Sequence, residues 1–395
     1  MEKIGFYAGS FSPVTRGHLG IVCEALNDYG KIIIGVGINA CKQQIYPLEE
    51  RCKMINAALD DLLFEYEYRE LAGMCFSRSE ENAISRLKEN PGCLEIIGYS
   101  DLTVDCALRS GATALIRGER IVGDHDSEMQ AAILNKQLLE VRKSRLSMAT
   151  IPVPREDMTY ISSSNVRALC SLGEYIAAQR YVMPGVHALL MEDFLKKRFT
   201  ALCPENAEAA YNLLVHDYSQ NRWYHTLTHV AYMLNYWQVL ENIGRIHVQN
   251  ASAMAWAVFY HDCVNTGAAD DEAASCVVMR RNCSDEHLAA VAEELIMATA
   301  CHQQSGKMSA DMQIIHDLDL AILGDNTNYG GYAANIRREY ARFDEQAYKS
   351  GRTEMLRRLL ERPFLYETEV FREMFEKDAR RNLHRELVYW QSRNV

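Results

Sequence analysis

Gly9-Ser10-Phe11-Ser12-Pro13-Val14-Thr15-Arg16-Gly17-His18 follows directly on an apolar run that begins at Lys3. The order predicts a strand, a glycine-bearing loop and then a helix that carries His18 in its first turn. That helix continues through Leu19, Ile21, Val22, Ala25 and Leu26, with Gly30 expected as its C-cap. Ile32-Ile33-Ile34-Gly35-Val36 then reads as a second strand, buried on both faces. A strand–helix–strand unit of this kind implies a parallel sheet with right-handed crossovers. Its loop offers bare backbone N–H groups, a helix dipole and one imidazole, a combination suited to a polyphosphate.

The surrounding composition narrows the class. At 395 residues the chain is long for one core, so two domains are expected, and 48% apolar residues suffice to bury both. A net charge of −11 argues against nucleic acid or an anionic membrane as the main partner. The 12 cysteines include no C-x-x-C pair and read as reduced thiols of a cytoplasmic protein. The longest apolar runs, Ile32–Val36 and Ala253–Tyr260, fall well short of the ~20 residues of a membrane span.

Strands are expected at Lys3–Ala8, Ile32–Ile38, Leu94–Tyr99, Ala112–Arg117 and Ala149–Val153, alternating with helical stretches. Beyond Met191 strand signals end, and helical periodicity runs through Val230–Leu240, Ser252–His261, His287–Ala300 and Asp311–Leu323. The expected architecture is an α/β domain with a parallel sheet over residues 1–187, followed without a flexible linker by an all-α domain over 188–395. The charged stretch Asp60–Pro91 reads as a surface insertion into the first domain.

Four stretches of the first half have phosphate-binding character. They are the Gly9–His18 loop, Lys42 beyond the second strand, Arg117-Gly118-Glu119-Arg120 at the end of another, and Ser162-Ser163-Ser164-Asn165-Val166-Arg167. All four follow expected strands, so they can meet at the carboxyl edge of the sheet. Transfer at a nucleoside triphosphate needs charge-stabilising donors and in-line positioning more than a covalent nucleophile. Arginine suits bidentate contact with phosphate, lysine acts as a mobile point charge, and a serine run caps a helix while adding donors. His18 sits at a loop–helix junction, so its replacement should slow transfer with little effect on stability.

These motifs resemble those of bacterial phosphopantetheine adenylyltransferase: GSFSPVTRGH, then LEER at 48–51, GYSDL at 98–102, LIRGERIVGDHDSEMQ at 115–130 and YISSSNVR at 160–167. The resemblance implies a Rossmann-like fold and transfer of AMP from ATP to 4′-phosphopantetheine with Mg²⁺. It implies catalytic roles for His18, Lys42 and Arg117. Ser10, Phe11, Thr15, Gly17, Arg120, Glu128, Ser162, Ser163 and Ser164 are implied to line the nucleotide and acceptor site. It further implies a homo-oligomer, with a hexamer as the candidate state. The chain departs from the family at Ser12, which stands where the family has aspartate. A transferase with another acceptor, or a nucleotide-sensing module that regulates the second domain, is the alternative reading.

The second half carries Tyr224-His225-Thr226-Leu227-Thr228-His229, then His261-Asp262, then Asp317-Leu318-Asp319. His225 and His229 share a helix face, and His261-Asp262 ends an apolar helix where polar groups are costly to bury unless satisfied. Imidazole with carboxylate suits Mn, Fe, Co, Ni or Zn, which can activate water toward phosphorus. RWYHTLTHVAYML, WAVFYHDCV, DDEAAS and HDLDLAILG resemble the HD phosphohydrolase superfamily. That resemblance implies His229, His261, Asp262 and Asp319 as metal ligands, with His225, His302 and Asp317 around them. The leading expectation is a bifunctional enzyme. A metal-stabilised interaction domain remains the other reading of this half.

Overall fold

Parallel pairing organises the N-terminal half. In the computed structural model, β1 (Ile4–Gly9) is followed by α1 (Arg16–Asp28), β2 (Lys31–Gly37), α2 (Leu48–Glu67), α3 (Arg69–Ala72) and α4 (Arg78–Glu89). Then come β3 (Leu94–Tyr99), α5 (Thr103–Arg109), β4 (Ala114–Glu119), α6 (His125–Val141), β5 (Ser147–Pro152), α7 (Ser163–Ser171) and α8 (Tyr175–Ala178). The structure describes residues 2–38, 45–119, 125–153, 160–203, 205–268, 270–300 and 308–393, with Glu119 and 125–132 described by backbone alone. The five strands form one sheet in the order β3-β2-β1-β4-β5, every pair parallel. Each lies within about two residues of its expected position.

β1 is central, and the strand order reverses at its border with β4, so the crevice beyond the carboxyl ends of β1 and β4 is the natural ligand position. Phe6, Ile33, Val104, Ala107 and Leu115 form the core on one side of the sheet. On α1, Ile21, Val22, Ala25 and Leu26 are buried. Gly118 allows α1 to close on β4, since a Cβ there would lie 2.1 Å from Ile21 Cδ1.

Two expectations are corrected. Gly30 is not the C-cap of α1: the helix ends at Asp28 with Tyr29 in extended backbone as its cap. Its terminal carbonyls are met by Arg86 of α4, which donates to Leu26 O (2.5 Å), Tyr29 O (2.8 Å) and Gly30 O. A side chain remote in sequence thus takes the place of a left-handed glycine. The 60–91 stretch, expected as an insertion, contains the end of α2, α3 and α4. α4 packs on α1 and α2 and buries Ala83, Ile84 and Leu87. Arg78, Lys88 and Glu89 are exposed, which is why composition made it look detached.

Contacts divide the chain into two units, the first Met1–Glu67 with Cys75–Leu189, the second Tyr68–Met74 with Leu190–Val395. The division falls within α9 (Pro184–Leu202). The second unit continues with α10 (Ala207–Ser219), α11 (Leu227–Asn242), α12 (Ala251–Tyr260), α13 (Asp271–Asn282), α14 (Glu286–Ala300) and α15 (Ala310–Leu320). It ends with α16 (Tyr329–Glu339), α17 (Glu345–Glu361), α18 (Glu369–Phe371), a π turn at Arg372–Glu376 and α19 (Lys377–Ser392). α12 is its spine: Met254, Trp256, Ala257, Val258, Phe259 and Tyr260 are buried, and it packs on α11, α13, α14 and α15. Among the described residues, no helix is long and apolar enough to cross a membrane.

α17 and α19 are joined by a buried ion pair. Glu386 accepts from Arg352 Nε (2.7 Å) and an Arg352 terminal nitrogen (2.9 Å), Tyr329 Oη (2.6 Å) and Trp390 Nε1 (3.1 Å). A buried pair costs desolvation, but removing one member leaves the other uncompensated. Glu386→Ala is therefore expected to destabilise the second unit by about 3–5 kcal/mol in urea unfolding. Exposed Glu354→Ala, also an ion-pair partner, should cost less than about 1 kcal/mol.

Candidate functional site

The loop leaving β1 is held from three directions. Arg51, buried in α2, donates through one terminal nitrogen to Ser10 O (2.7 Å) and Gly37 O (2.9 Å), and through Nε to Tyr46 O (3.2 Å). It ties the ends of β1 and β2 together. Ser163 Oγ donates to Pro13 O (2.8 Å), and Arg167 of α7 donates to Ser12 O (2.5 Å). Arg16 pairs with buried Glu65 through two bonds of 2.8 and 3.0 Å, and its backbone N–H reaches Tyr181 O. The Gly9–His18 loop and the Ser162–Arg167 stretch are thus brought together, as their shared place at the carboxyl edge requires.

At the start of α1, Thr15 N–H donates to His18 Nδ1 (3.0 Å), and Thr15 Oγ1 lies 2.7 Å from the same nitrogen. The imidazole packs edge-on against Phe11, centroids 5.1 Å apart, and Phe11 packs on Tyr7 at 5.4 Å. Phe11 itself is 1% exposed with φ 46°, so it supports the histidine from below. Contrary to the sequence expectation, His18 is buried and helps cap its helix, and replacing it will also cost stability.

Ser10 is exposed, while Ser12, Thr15 and Gly17 are buried. The three serine hydroxyls are engaged locally. Ser162 Oγ caps α7 by accepting from Asn165 N, Ser163 Oγ holds Pro13, and Ser164 Oγ accepts from Arg167. What α7 offers an anion is its first-turn backbone and dipole. Arg117 is half-buried on β4, opposite Thr150. Lys42 and Arg120 lie outside the described residues, as does the side chain of Glu128 on α6.

In the second unit, ligand atoms of His229 (α11), His261 and Asp262 (after α12) lie within 4.8 Å of one another, a group able to hold a metal ion. Asp319 of α15 joins them: its Oδ1 is 2.9 Å from His229 Nε2 and 3.8 Å from His261 Nε2. His261 Nδ1 lies 3.0 Å from Val258 O, to which it donates, leaving Nε2 facing Asp262 Oδ2 at 3.1 Å. That Nε2 is buried without a hydrogen-bond partner. Burial works against the imidazolium, but Asp262 and Asp319 prevail and raise His261 to about 9. The same attraction overcomes burial in Asp262 and Asp319 and holds both carboxyls below their ordinary range.

Sequence reasoning missed Glu339, at the end of α16. One of its oxygens accepts from the backbone N–H of Trp223, Tyr224 and His225 (2.9–3.2 Å). The other lies 2.5 Å from His225 Nδ1 and accepts from Asn265 at 3.1 Å. Tyr224 Oη stands 3.1 Å from His229 Nδ1, and Arg222 holds the carbonyls of Asp262 and Cys263. Glu339 is 114 residues from His225, so no local spacing could reveal it. Asp317 is corrected. Two residues from Asp319 on one helix, it points elsewhere and accepts from the N–H groups of Glu367 (2.7 Å) and Thr368 (2.8 Å). His302 lies outside the described residues.

Comparison with known proteins bears on the N-terminal half. A cytidylyltransferase-like family model matches residues 6–169. Phosphopantetheine adenylyltransferase of Rhizobium rhizogenes is 31% identical over 182 residues, which cover 46% of this chain and 90% of that protein. The enzyme of the same name from Rhizobium meliloti is 30% identical over 47% of this chain and 94% of its own length. That from Moorella thermoacetica is 28% identical over 49% and 98%.

Burial would raise the Glu339 carboxyl, but His225 and the backbone donors outweigh it and lower it from 4.5 to about 2. A folded value below the unfolded one gives stability that is present above about 4.5 and lost as pH falls toward about 2. The second unit should therefore lose stability across that window, and Glu339→Gln should flatten the loss. Urea unfolding at successive pH values measures it.

Proposed function

Through its N-terminal half this chain belongs to the phosphopantetheine adenylyltransferases, within a cytidylyltransferase-like domain, and on that premise we propose that it transfers the AMP of MgATP to 4′-phosphopantetheine. An oxygen of the acceptor's phosphate bonds to the α-phosphorus as the bond to pyrophosphate breaks, giving dephospho-coenzyme A. The observation that carries this reading is the fastening of the Ser10–His18 loop to the N-terminus of α7 at the carboxyl edge of the sheet.

Two helix N-termini, those of α1 and α7, then face the anionic substrates with their dipoles. His18 stands in the first turn of α1 as a donor to oxygens that gain charge at the α-phosphate. Ser10, Lys42 and Arg117 are assigned to the attacking phosphate, Arg120 and Glu128 to ATP. The described loop from Ser10 to His18 contains hydroxyls and carbonyls but no carboxylate, so it does not fit a dedicated magnesium cage. Magnesium enters as the counter-ion of ATP. Pyrophosphate release should depend on 4′-phosphopantetheine, and His18→Ala should lower its rate by about 10²–10³. Release unaffected by the acceptor would overturn this assignment in favour of another acceptor or a sensing role.

The C-terminal half supports a second activity, that of a divalent-metal phosphohydrolase of HD type. The observation favouring it is the convergence of His229, His261 and Asp262 ligand atoms within 4.8 Å, with Asp319 Oδ1 2.9 Å from His229 Nε2 and 3.8 Å from His261 Nε2. Two imidazoles and two carboxylates fit Mn, Fe, Co, Ni or Zn. Bound there, such an ion would supply an acidified water and polarise a phosphoryl oxygen. The chain's own part is orientation: Val258 fixes the His261 ring, Tyr224 the His229 ring, and Glu339 the turn bearing His225. The purified chain should carry about one divalent ion per protomer, and Asp262→Ala should lose most of that ion and of its phosphoester hydrolysis while pyrophosphate release persists. An Asp262→Ala protein with the same metal content and hydrolysis would remove the assignment.

A further inference from the structure

The connection between α2 and α4 leaves the first unit and returns to it. Tyr66 and Phe76 meet edge-on at its base, centroids 5.4 Å apart, and both belong to the first unit. Tyr68–Met74, between them, belong by their contacts to the second. There α3 packs on α16 and α19, with Leu71 and Ala72 buried. Gly330, at the start of α16, makes the seat. A Cβ there would lie 2.6 Å from both the Cα and the carbonyl oxygen of Ala72, a clash with backbone that no rotamer change relieves. Backbone packed this closely on backbone admits no graded sliding, so the segment is either seated or withdrawn. Gly73 closes α3 in the left-handed region (φ 63°), and the Arg385 guanidinium of α19 lies against it.

Each end of this excursion reaches one of the two candidate sites. On one side, buried Glu65 in the last turn of α2 takes two hydrogen bonds from Arg16, within the Ser10–His18 loop. The chain passes from Glu65 to Tyr68 within a single helical turn. On the other side, α16 carries the seat at its start and Glu339 at its end. Glu339 accepts from the backbone N–H groups of Trp223, Tyr224 and His225. Tyr332 of the same helix packs edge-on against Tyr224, centroids 4.6 Å apart, and Tyr224 Oη stands 3.1 Å from His229 Nδ1. A helix of 11 residues moves as one body, so a shift at Gly330 is felt at the turn that orients His225 and His229.

We propose that residues 68–74 couple the two candidate sites, so that a ligand bound at the carboxyl edge of the sheet tightens the hold of the His229, His261, Asp262 and Asp319 group on its divalent ion. The proposal rests on both functional readings and adds a regulation that neither contains. A ligand that orders the Ser10–His18 loop fixes Arg16, and with it Glu65 and the last turn of α2. The seated form of the segment is then favoured and α16 is held. The ion no longer bears the cost of ordering the turn before α11. Linkage makes the effect reciprocal: the ion strengthens binding at the first site by the same factor.

The test uses the full chain with two probes, dephospho-coenzyme A and Mn²⁺, each titrated alone and in the presence of the other. Free Mn²⁺ is read from its paramagnetic resonance and the nucleotide by equilibrium dialysis, with a protein-free blank for Mn²⁺ held by the nucleotide itself. In wild type, saturating dephospho-coenzyme A should lower the Kd for Mn²⁺ at least about fivefold. Gly330→Ala, which unseats Ala72, should bring that ratio to within about twofold of unity while both probes still bind. Should Gly330→Ala fail to fold, Glu65→Gln, which loosens the other end, is expected to do the same. Wild type that binds the two probes independently overturns the coupling and leaves both functional readings standing. A ratio that survives in the folded variant overturns the role of residues 68–74. Failure of dephospho-coenzyme A to bind removes the transfer reading, failure of Mn²⁺ to bind removes the metal reading, and the proposal falls with either.

Discussion

A parallel strand cannot be left by a tight turn, and in the first unit that constraint governs everything else. β1 pairs in parallel with both β2 and β4, so each connection must cross over the sheet and every strand ends on the same edge. The carboxyl ends of the strands are thereby gathered on one edge, and the strand order reverses there beside β1. The loop entering α1 must also satisfy its own buried polar groups. Arg51, Ser163 and Arg167 do so by donating to the carbonyls of Ser10, Pro13 and Ser12.

The second unit faces a different difficulty, the placement of charge in an apolar helical core, and meets it in two ways. Around Glu386 four donors converge on one carboxylate, and the network is complete. Around His261 the arrangement is less complete, with two carboxylates against two imidazoles and a buried Nε2 that faces Asp262 at 3.1 Å without a well-directed hydrogen bond. A closed network stabilises a fold, whereas an open one is costly unless something occupies it. The contrast within one helical unit is what sets the His229, His261, Asp262 and Asp319 group apart.

Legibility from sequence followed the range of the interactions. Strands with continuous apolar runs, such as Ile32–Val36, were read to within two residues, because burial on both faces leaves an unbroken signal. The helices bearing His229 and Asp319 were also legible, since helical periodicity is local. Gly30 was misread because the true cap comes from Arg86, 56 residues away. Asp317 was placed with the metal group because the motif is contiguous, although neighbouring helical positions face different ways. Glu339 left no trace, since its partners lie 74 to 116 residues upstream.

By itself, then, the sequence determined the parallel α/β half, the helical half, and the chemical types gathered in each: histidine, serine and arginine around one loop, histidine and aspartate in the other half. These follow from periodicity and from motifs a few residues long. Only the tertiary structure decided how those groups are used. It tied the Ser163 hydroxyl to the loop and those of Ser162 and Ser164 to α7, buried His18 against Phe11, separated Asp317 from Asp319, and recruited Glu339. The physical reason is that hydrogen-bond direction and desolvation depend on where distant segments meet, and a linear pattern carries neither.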